Sequence, residues 1–259
     1  MIDPAQRSAR GQAMAEVITG RPGKAHASQL AASWRDFVFA EIWTRPGLDR
    51  RARFLISLAS AAMTVTPDET LDGYVRGALT TQELALGELR EAALHVAAYG
   101  GWGAGERLDA ASARIAAELG QLPGPFVPLR DSPWDGAQRL RDGQRHFEEV
   151  MMFPGPQPDN PFQSAGILDF VFAELWCREG LEQRARRWLT LVGVCIAGAP
   201  TPIESHFHAA IASGNCTEAE LLEFVLQFAV HAGWPRASIL SRVVVAQAAK
   251  VAAGRSYHG

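Results

Sequence analysis

Phe37-Val38-Phe39-Ala40-Glu41-Ile42-Trp43 is the stretch from which the fold of this chain can be inferred, because it occurs twice. Its second copy, Phe170-Val171-Phe172-Ala173-Glu174-Leu175-Trp176, is identical at six of seven positions, at an offset of 133. The chain runs on in parallel after both copies, and the offset has slipped to 132 where Gly101-Trp102 matches Gly233-Trp234. These matches predict a tandem duplication of one unit of roughly 80 residues, so that each site residue has a counterpart in the other copy.

Composition excludes several classes of partner. The chain has 259 residues, with 25 Lys and Arg against 28 Asp and Glu, and this balance argues against a nucleic-acid footprint or a polybasic membrane anchor. No apolar run approaches the roughly 20 residues of a membrane span, and the N-terminus lacks the apolar core of a secretory signal. Three cysteines without repeated spacing indicate no disulfide framework. We therefore expect a soluble, cytoplasmic protein.

Apolar residues recur at helical spacing and strand patterns are nearly absent, which predicts an all-α fold. Thr217 and Glu220 form a capping-box pattern, and Pro235 suits a first helical turn. The predicted helices of the first copy are Pro4–Ile18, Ala27–Trp43, a buried helix capped by Asp49, Asp68–Leu79, Glu83–Tyr99 and Trp102–Leu119.

Two proline-rich segments enclose one polar helix, Asp135–Met151, between the copies. This composition predicts an N-terminal repeat with a leading helix at 1–119, a linker with one helix at 120–161, and a C-terminal repeat at 162–259.

The repeated motifs resemble those of the carboxymuconolactone decarboxylase family, whose superfamily also contains the alkylhydroperoxidase D proteins. The motifs that carry the resemblance are Glu41–Arg53, Tyr74–Leu79 and Tyr99–Trp102 in the first copy, and Glu174–Trp176, His206–Ile211 and His231–Pro235 in the second. The resemblance implies compact helical units that associate through their helices, commonly into trimers or hexamers. We expect the two copies to pack as a pseudo-dimer, and the chain to form a homo-oligomer such as a trimer.

The resemblance also implies which chemistry to look for. The peroxidase branch needs a Cys-x-x-Cys pair with a nearby histidine, whereas Cys177, Cys195 and Cys216 stand alone here. The decarboxylase branch carries a helical motif in which a histidine precedes an arginine by two residues. His206 and His208 occupy these two positions in the second copy, and Tyr74 and Arg76 occupy them in the first.

Each of these residues has a structural alternative. Glu204–His208 and Asp72–Arg76 are one helical turn apart and suit solvated ion pairs. Glu41 and Glu174 need partners on their apolar helices, and Arg53 and Arg186 are the candidates; this pairing is the structural alternative to a site role. His206 lies beside the apolar stripe of its helix, as a hydrogen-bonded core histidine also would. Trp102 and Trp234 suit a core position better than a substrate platform.

The resemblance favours a cofactor-independent lyase that decarboxylates a small carboxylated lactone or related ring-derived acid through an enolate, as in the breakdown of aromatic compounds. We predict His206 as the acid/base residue, Arg186 or His208 on the anion, and Glu174 as the orienting group. Further predicted substrate contacts are His231, Trp234, Trp176, Tyr74, Arg76 and Tyr99. The sequence contains no metal-binding motif of the HExxH or Glu-x-x-His kind, and we predict no metal or cofactor.

Two alternatives to the decarboxylase remain open at this point. One is an isomerase, cyclase or carbon–carbon lyase that uses the same enolate strategy. The other is a non-catalytic oligomeric protein. Because a phenol with a pKa near 10 is a poor proton shuttle at pH 7, we expect the second copy to carry the acid/base residue. The first copy then binds ligand or completes the pocket of the second.

Overall fold

The computed structural model describes residues 3–22, 28–124 and 127–259, and no β-strand occurs in them. The protein is all-α, as its sequence predicts. The helices are α1 (Pro4–Thr19), α2 (Gln29–Ser33), π1 (Trp34–Ile42), α3 (Arg50–Met63), α4 (Asp68–Thr80), α5 (Leu86–Gly100), α6 (Trp102–Glu118), α7 (Gly136–Met151), π2 (Phe162–Leu175), α8 (Gln183–Ala197), α9 (Pro200–Ala212), α10 (Glu218–Ala232) and α11 (Trp234–Ala252). None of the helices in these ranges is long and apolar enough to cross a membrane.

Polar side chains fix several helix starts at the predicted positions. Asp49 accepts a hydrogen bond from the backbone N–H of Ala52 at 2.7 Å, which caps α3. Thr217 and Glu220 form the predicted capping box at the start of α10. The predicted start of the second helix at Ala27 lies outside the described residues.

Two segments predicted as ordinary α-helix are π-helical. Trp43 and Trp176 at their ends donate backbone N–H groups to Val38 and Val171, five residues back, each at 3.0 Å. These segments contain the repeated Phe-Val-Phe-Ala-Glu stretch. Hydrophobic periodicity cannot separate a π-helix from an α-helix over so short a segment, which is why the sequence did not reveal them.

The two halves share one hydrophobic core. The core runs from Ile18 in α1 to Val244 in α11, and α3 packs on α8, α8 on α5, and α3 on α10. The central helices α3 and α8 are the most deeply buried, because nearly every residue after their first turn is apolar or small.

The helix α7 packs on π2 as α1 packs on π1. Gly11 in α1 faces the carbonyl of Arg35, and a Cβ added there would lie 2.0 Å from that oxygen. Gly143 in α7 faces the carbonyl of Leu168 in the same way, at 2.2 Å. The helix from the segment predicted as a linker is therefore a packed element beside the second half, with its own small core around Phe147 and Phe172.

Candidate functional site

A cavity of about 910 Å³ lies in the second half, among α7, π2, α8 and α9. Its walls are mainly apolar, and their aromatic side chains include Phe147, Phe153, Phe170, Phe172, Trp102 and Tyr257. Trp102 and Phe162 are 60% and 72% exposed and mark the mouth. The buried His206 marks the inner end, together with Tyr99. Such a cavity has the size and apolar character of a small-molecule site.

His206 and Tyr99 form the polar end of this cavity, and they come from different halves of the chain. Their rings lie 5.9 Å apart and nearly perpendicular. Trp176 Nε1 donates a hydrogen bond to the Tyr99 hydroxyl at 2.9 Å, and Tyr99 stacks on His95 at 5.0 Å. His95 Nε2 is in turn 2.7 Å from Thr190 Oγ1. The Tyr99 ring is thus held from two sides.

Close packing of α8 against Tyr99 depends on a glycine. A Cβ added to Gly193 would lie 2.6 Å from the Cβ of Tyr99, which is closer than two Cβ atoms come in folded proteins. Only a residue without a side chain lets α8 run this close to α5 at the inner end of the cavity.

Arg187 is the one cation in direct contact with His206 among the described residues. It is fully buried, and its Nη1 lies 3.5 Å from His206 Nδ1. Its Nη2 donates to the Val150 carbonyl at 2.6 Å, and its guanidinium lies 5.0 Å from the centre of the Trp176 ring. A guanidinium can only donate, so this contact favours Nδ1 as the acceptor and places the imidazole proton on Nε2.

Burial, with a smaller contribution from Arg187, lowers the pKa of His206 to about 3. Burial also lowers the pKa of Arg187 to about 10. At neutral pH His206 is therefore an uncharged imidazole and Arg187 remains a cation. The ordinary pKa of about 6.5 that made histidine attractive as a proton shuttle does not apply to His206 in this cavity. A neutral imidazole with its proton on Nε2 acts as a hydrogen-bond donor.

A second tyrosine–histidine pair lies at the corresponding place in the first half. The Tyr74 hydroxyl is 3.2 Å from His231 Nε2, and Trp43 stands 5.7 Å from the Tyr74 ring. Trp34 packs on His231 with ring centres 5.9 Å apart. In the second-half pair the histidine comes from α9 and the tyrosine from α5. In the first-half pair the tyrosine comes from α4 and the histidine from α10, so the two residue types are exchanged between corresponding helices.

Residues 28–113 match the model of the carboxymuconolactone decarboxylase family. This segment belongs to that family. It includes Tyr74 and Tyr99, and the family resemblance expected from the motifs is confirmed for it. A search of curated proteins finds no match. The carboxymuconolactone decarboxylase family is associated with decarboxylase and peroxidase-like activities, and it also includes members of other function.

Two ion pairs predicted within the family motifs are wrong. Glu41 pairs with Arg7 of α1 at 2.5 Å, and Glu174 pairs with Arg130 and Arg139, each at 2.8 Å. The partners lie in α1 for Glu41, and in α7 and the segment before it for Glu174, because both carboxylates face outward from the π-helices toward these elements. Sequence spacing within one copy could not reveal partners so far away.

Arg53 and Arg186 instead reach across to the other half. Arg53 Nη2 lies 3.0 Å from Glu223 of α10, and Arg186 Nη2 lies 3.1 Å from Glu91 of α5. Arg186 also donates to the backbone carbonyls of Leu181 and Arg178. Neither Arg186 nor Glu174 lines the cavity, so the structure does not bring them to His206.

The predicted ion pairs one helical turn apart are not formed as expected. Asp72 pairs with Arg114 at 2.5 Å, and Arg76 pairs with Glu118. His208 is only 2% exposed, so it is not a solvated partner of Glu204. It lies 5.8 Å from the Tyr257 ring, behind the cavity wall.

The remaining predicted contacts fall in different places. Trp176 supports Tyr99 and Arg187, as described above. The core position expected for Trp102 and Trp234 is wrong, because their side chains are 60% and 50% exposed. Trp234 packs edge-on against Phe37 near the first-half pair. Within the described ranges, no three His, Cys, Asp or Glu side chains are grouped closely enough to hold a metal ion. All three cysteines are free, with Cys195 and Cys216 buried and Cys177 exposed.

Sequence reasoning missed three residues of this site: Arg187, His95 and Gly193. His95 corresponds to the polar Gln227 at an offset of 132 and gives no signal, whereas Arg187 corresponds to Phe54 at an offset of 133. A change from an apolar to a charged residue inside a buried helix marks a place where the copies differ in chemistry. The sequence gives no signal for Gly193, because its contact with Tyr99 depends on how α5 packs against α8.

Proposed function

We propose that this protein is a cofactor-independent lyase that decarboxylates a ring-derived acid in the cavity of its second half. The observation that carries the proposal is the neutral His206 at the inner end of an apolar cavity, with Arg187 behind it and Tyr99 beside it. Family membership of residues 28–113 favours this chemistry over unrelated ones.

The proposed reaction needs no electron sink beyond the substrate. The bond between the ring carbon and its carboxylate breaks, carbon dioxide leaves, and the electron pair moves into a conjugated carbonyl as an enolate. His206 donates its Nε2–H to the enolate oxygen, where charge develops in a poorly hydrated site. The enolate carbon is a much stronger base than a phenolate, so the Tyr99 hydroxyl, although a poor shuttle for weaker bases, returns a proton to carbon, and water restores the Tyr99 proton.

Arg187 supports this step in two ways. It holds the His206 proton on Nε2 through the contact at Nδ1, and its charge stabilises the developing anion without lying in the path of the substrate. His206, Tyr99 and Arg187 therefore replace the set of His206, Arg186 and Glu174 inferred from the motifs. Arg186 and Glu174 serve the packing of the site instead, through their ion pairs.

We also propose that the chain arose by duplication and that the duplicated unit is longer than its motifs. The matching order of helices, and the equivalent packing of α1 on π1 and α7 on π2, support units of residues 3–119 and 135–259. The segment 120–134 then joins them. Further association into a homo-oligomer such as a trimer remains a prediction by analogy with the family, and light scattering measures it.

Incubation with cyclic β-keto acids and carboxylated lactones tests the reaction, with substrate loss and carbon dioxide release followed together. Equal amounts of both, abolished in His206→Ala, support the lyase. Substrate loss without carbon dioxide would replace it by an isomerase or cyclase acting through the same enolate. Loss of neither, with binding retained, would make the protein a binding module.

A further inference from the structure

The charge and size of the cavity restrict the substrate more sharply than family membership does. At about 910 Å³ the cavity is near the upper end of the roughly 300–1,000 Å³ typical of small-molecule sites. A single-ring acid would leave most of it empty. Aromatic pairs such as Phe147–Phe172 at 4.6 Å and Phe153–Tyr257 at 4.9 Å form its walls and offer flat apolar surfaces.

Charged side chains are absent from the described lining of the cavity. It contains no Asp, Glu, Lys or Arg, and its titratable groups are two histidines and two tyrosines. Transfer of an unpaired carboxylate from water to such surroundings is strongly unfavourable. A substrate with two or three carboxylates would therefore meet an uncompensated cost for each charge beyond the first.

Among the described residues, one uncompensated positive charge is available at the inner end. The contacts of Arg187 among the described residues are a carbonyl, the Asn215 side chain, the Met151 sulfur, an aromatic face and the His206 imidazole. None of these is anionic, so the buried guanidinium keeps its full charge uncompensated. A single carboxylate beside His206 would balance it.

We propose that the cavity takes a compound with a largely apolar body of two or more rings and one carboxylate, and excludes polycarboxylates. This proposal names the substrate class of the proposed lyase. It rests on the proposed function only where it takes the carboxylate as the reacting group. The carboxylate lies at the inner end beside His206, and the ring body lies between π2 and α7 and extends toward Trp102.

The difference between the copies supplies the test variant. Ile167 lines this cavity, and its counterpart in the first half is Trp34, which packs on His231. Ile167→Trp therefore adds an indole ring to the second-half cavity. It lies beside Tyr99, the counterpart of His231, on which Trp34 packs in the first half. Ile239→Trp is the matched control, since Ile239 is 55% exposed on α11.

Calorimetric titration with three naphthalene probes tests the charge rule: 2-naphthoate, naphthalene-2,3-dicarboxylate and the neutral 2-acetylnaphthalene. We expect naphthoate to bind at least tenfold more tightly than either of the others. Arg187→Met should remove the preference for naphthoate over the neutral ketone, and Arg187→Lys should keep it. Dicarboxylate binding as tight as naphthoate binding would overturn the proposal, as would an unchanged preference in folded Arg187→Met.

The position of the ligand is tested separately. Ile167→Trp should weaken naphthoate binding at least tenfold, whereas Ile239→Trp should leave it unchanged, with both variants as resistant to heat as the parent. Unchanged binding in folded Ile167→Trp would overturn the assignment to this cavity. Binding of naphthoate without turnover of any acid would reject the lyase and keep the inferred ligand class. Turnover of a polycarboxylate would support the lyase and reject the inferred ligand class.

Discussion

Arg186 in α8 and Glu91 in α5 join the two halves of the chain through an ion pair at 3.1 Å, with the guanidinium fully buried. Glu91 also holds Arg178 at 2.6 Å, so one carboxylate serves two cations. Removal of that carboxylate leaves both guanidinium groups buried without a counter-charge.

Glu91→Gln should therefore lower the free energy of unfolding by roughly 3–5 kcal/mol, the usual cost of breaking a buried ion pair from one side. Glu182→Gln is the control, because Glu182 is 52% exposed and its pair with Arg51 should contribute about 0–1 kcal/mol. Chemical denaturation measures both. Equal losses in the two variants would contradict the structural role given to Glu91.

Stability should also fall in acid. Hydrogen bonds from Arg178 and Arg186 outweigh the effect of burial and lower the pKa of Glu91 below its ordinary 4.5. The carboxylate therefore contributes stability above pH 4.5, and this contribution is lost as the pH falls through the folded-state pKa. The unfolding free energy of Glu91→Gln should depend less on pH between 5 and 3 than that of the parent. Parallel curves would show that other carboxylates cause the acid loss.

Turnover should depend on the second-half pair. His206→Ala should reduce turnover by about a hundredfold or more, as expected for loss of a group that acts on the transition state. Tyr99→Phe and Tyr74→Phe remove the same hydroxyl from the two pairs and form a matched comparison. We expect Tyr99→Phe to be the more damaging. A larger effect of Tyr74→Phe in steady-state assays would move the working site to the first half.

His206 should not titrate near neutral pH. Its pKa is lowered to about 3 by burial and by Arg187, so the imidazole stays neutral between pH 5 and 8. Proton magnetic resonance of the ring should show no inflection in that range. In Arg187→Met the inflection should move upward, because one of the two causes is removed. A midpoint near 6.5 in the parent protein would reject the neutral-donor role.

Thiol chemistry should be dispensable. Burial raises the pKa of Cys216 to about 12. The Cys177 residue is exposed, but its sulfur lies against His146 and the Phe172 carbonyl, and partial desolvation raises its pKa to about 11, so neither thiol is a ready nucleophile at pH 7. A variant with Cys177, Cys195 and Cys216 all changed to Ala should keep its turnover, with some loss of stability from the two buried positions. A folded but inactive triple variant would favour a redox reaction instead.

Gly193→Ala should disturb Tyr99, since the added Cβ would lie 2.6 Å from the Cβ of Tyr99. We expect a loss of about 1–3 kcal/mol in stability together with weaker ligand binding. Gly103→Ala in α6 is the control, because nothing lies within 4 Å of its added Cβ, and helix propensity predicts a small gain in stability. Similar behaviour of both variants would show that Tyr99 can move aside.

The all-α fold and most helix bounds could be predicted from the sequence, because caps and apolar spacing are local properties. The helix α7 was also predicted, but its packing on π2 could not be. The partners of Glu41 and Glu174 and the pairing of Tyr99 with His206 could not be predicted either, because each depends on contacts between distant elements. His206 was found through its motif. Arg187 was missed because it follows Arg184 and Arg186 at the charged start of α8, and only its apolar counterpart Phe54 signals that it is buried.

The crossing of the two tyrosine–histidine pairs has a consequence for how this chain can change over generations. His206 is encoded in one half and Tyr99 in the other, so neither half carries a complete site. A mutation that alters Tyr99 in the first half therefore acts on the cavity of the second half. Replacement of one half alone would therefore separate the members of both pairs, so the two halves must be inherited together.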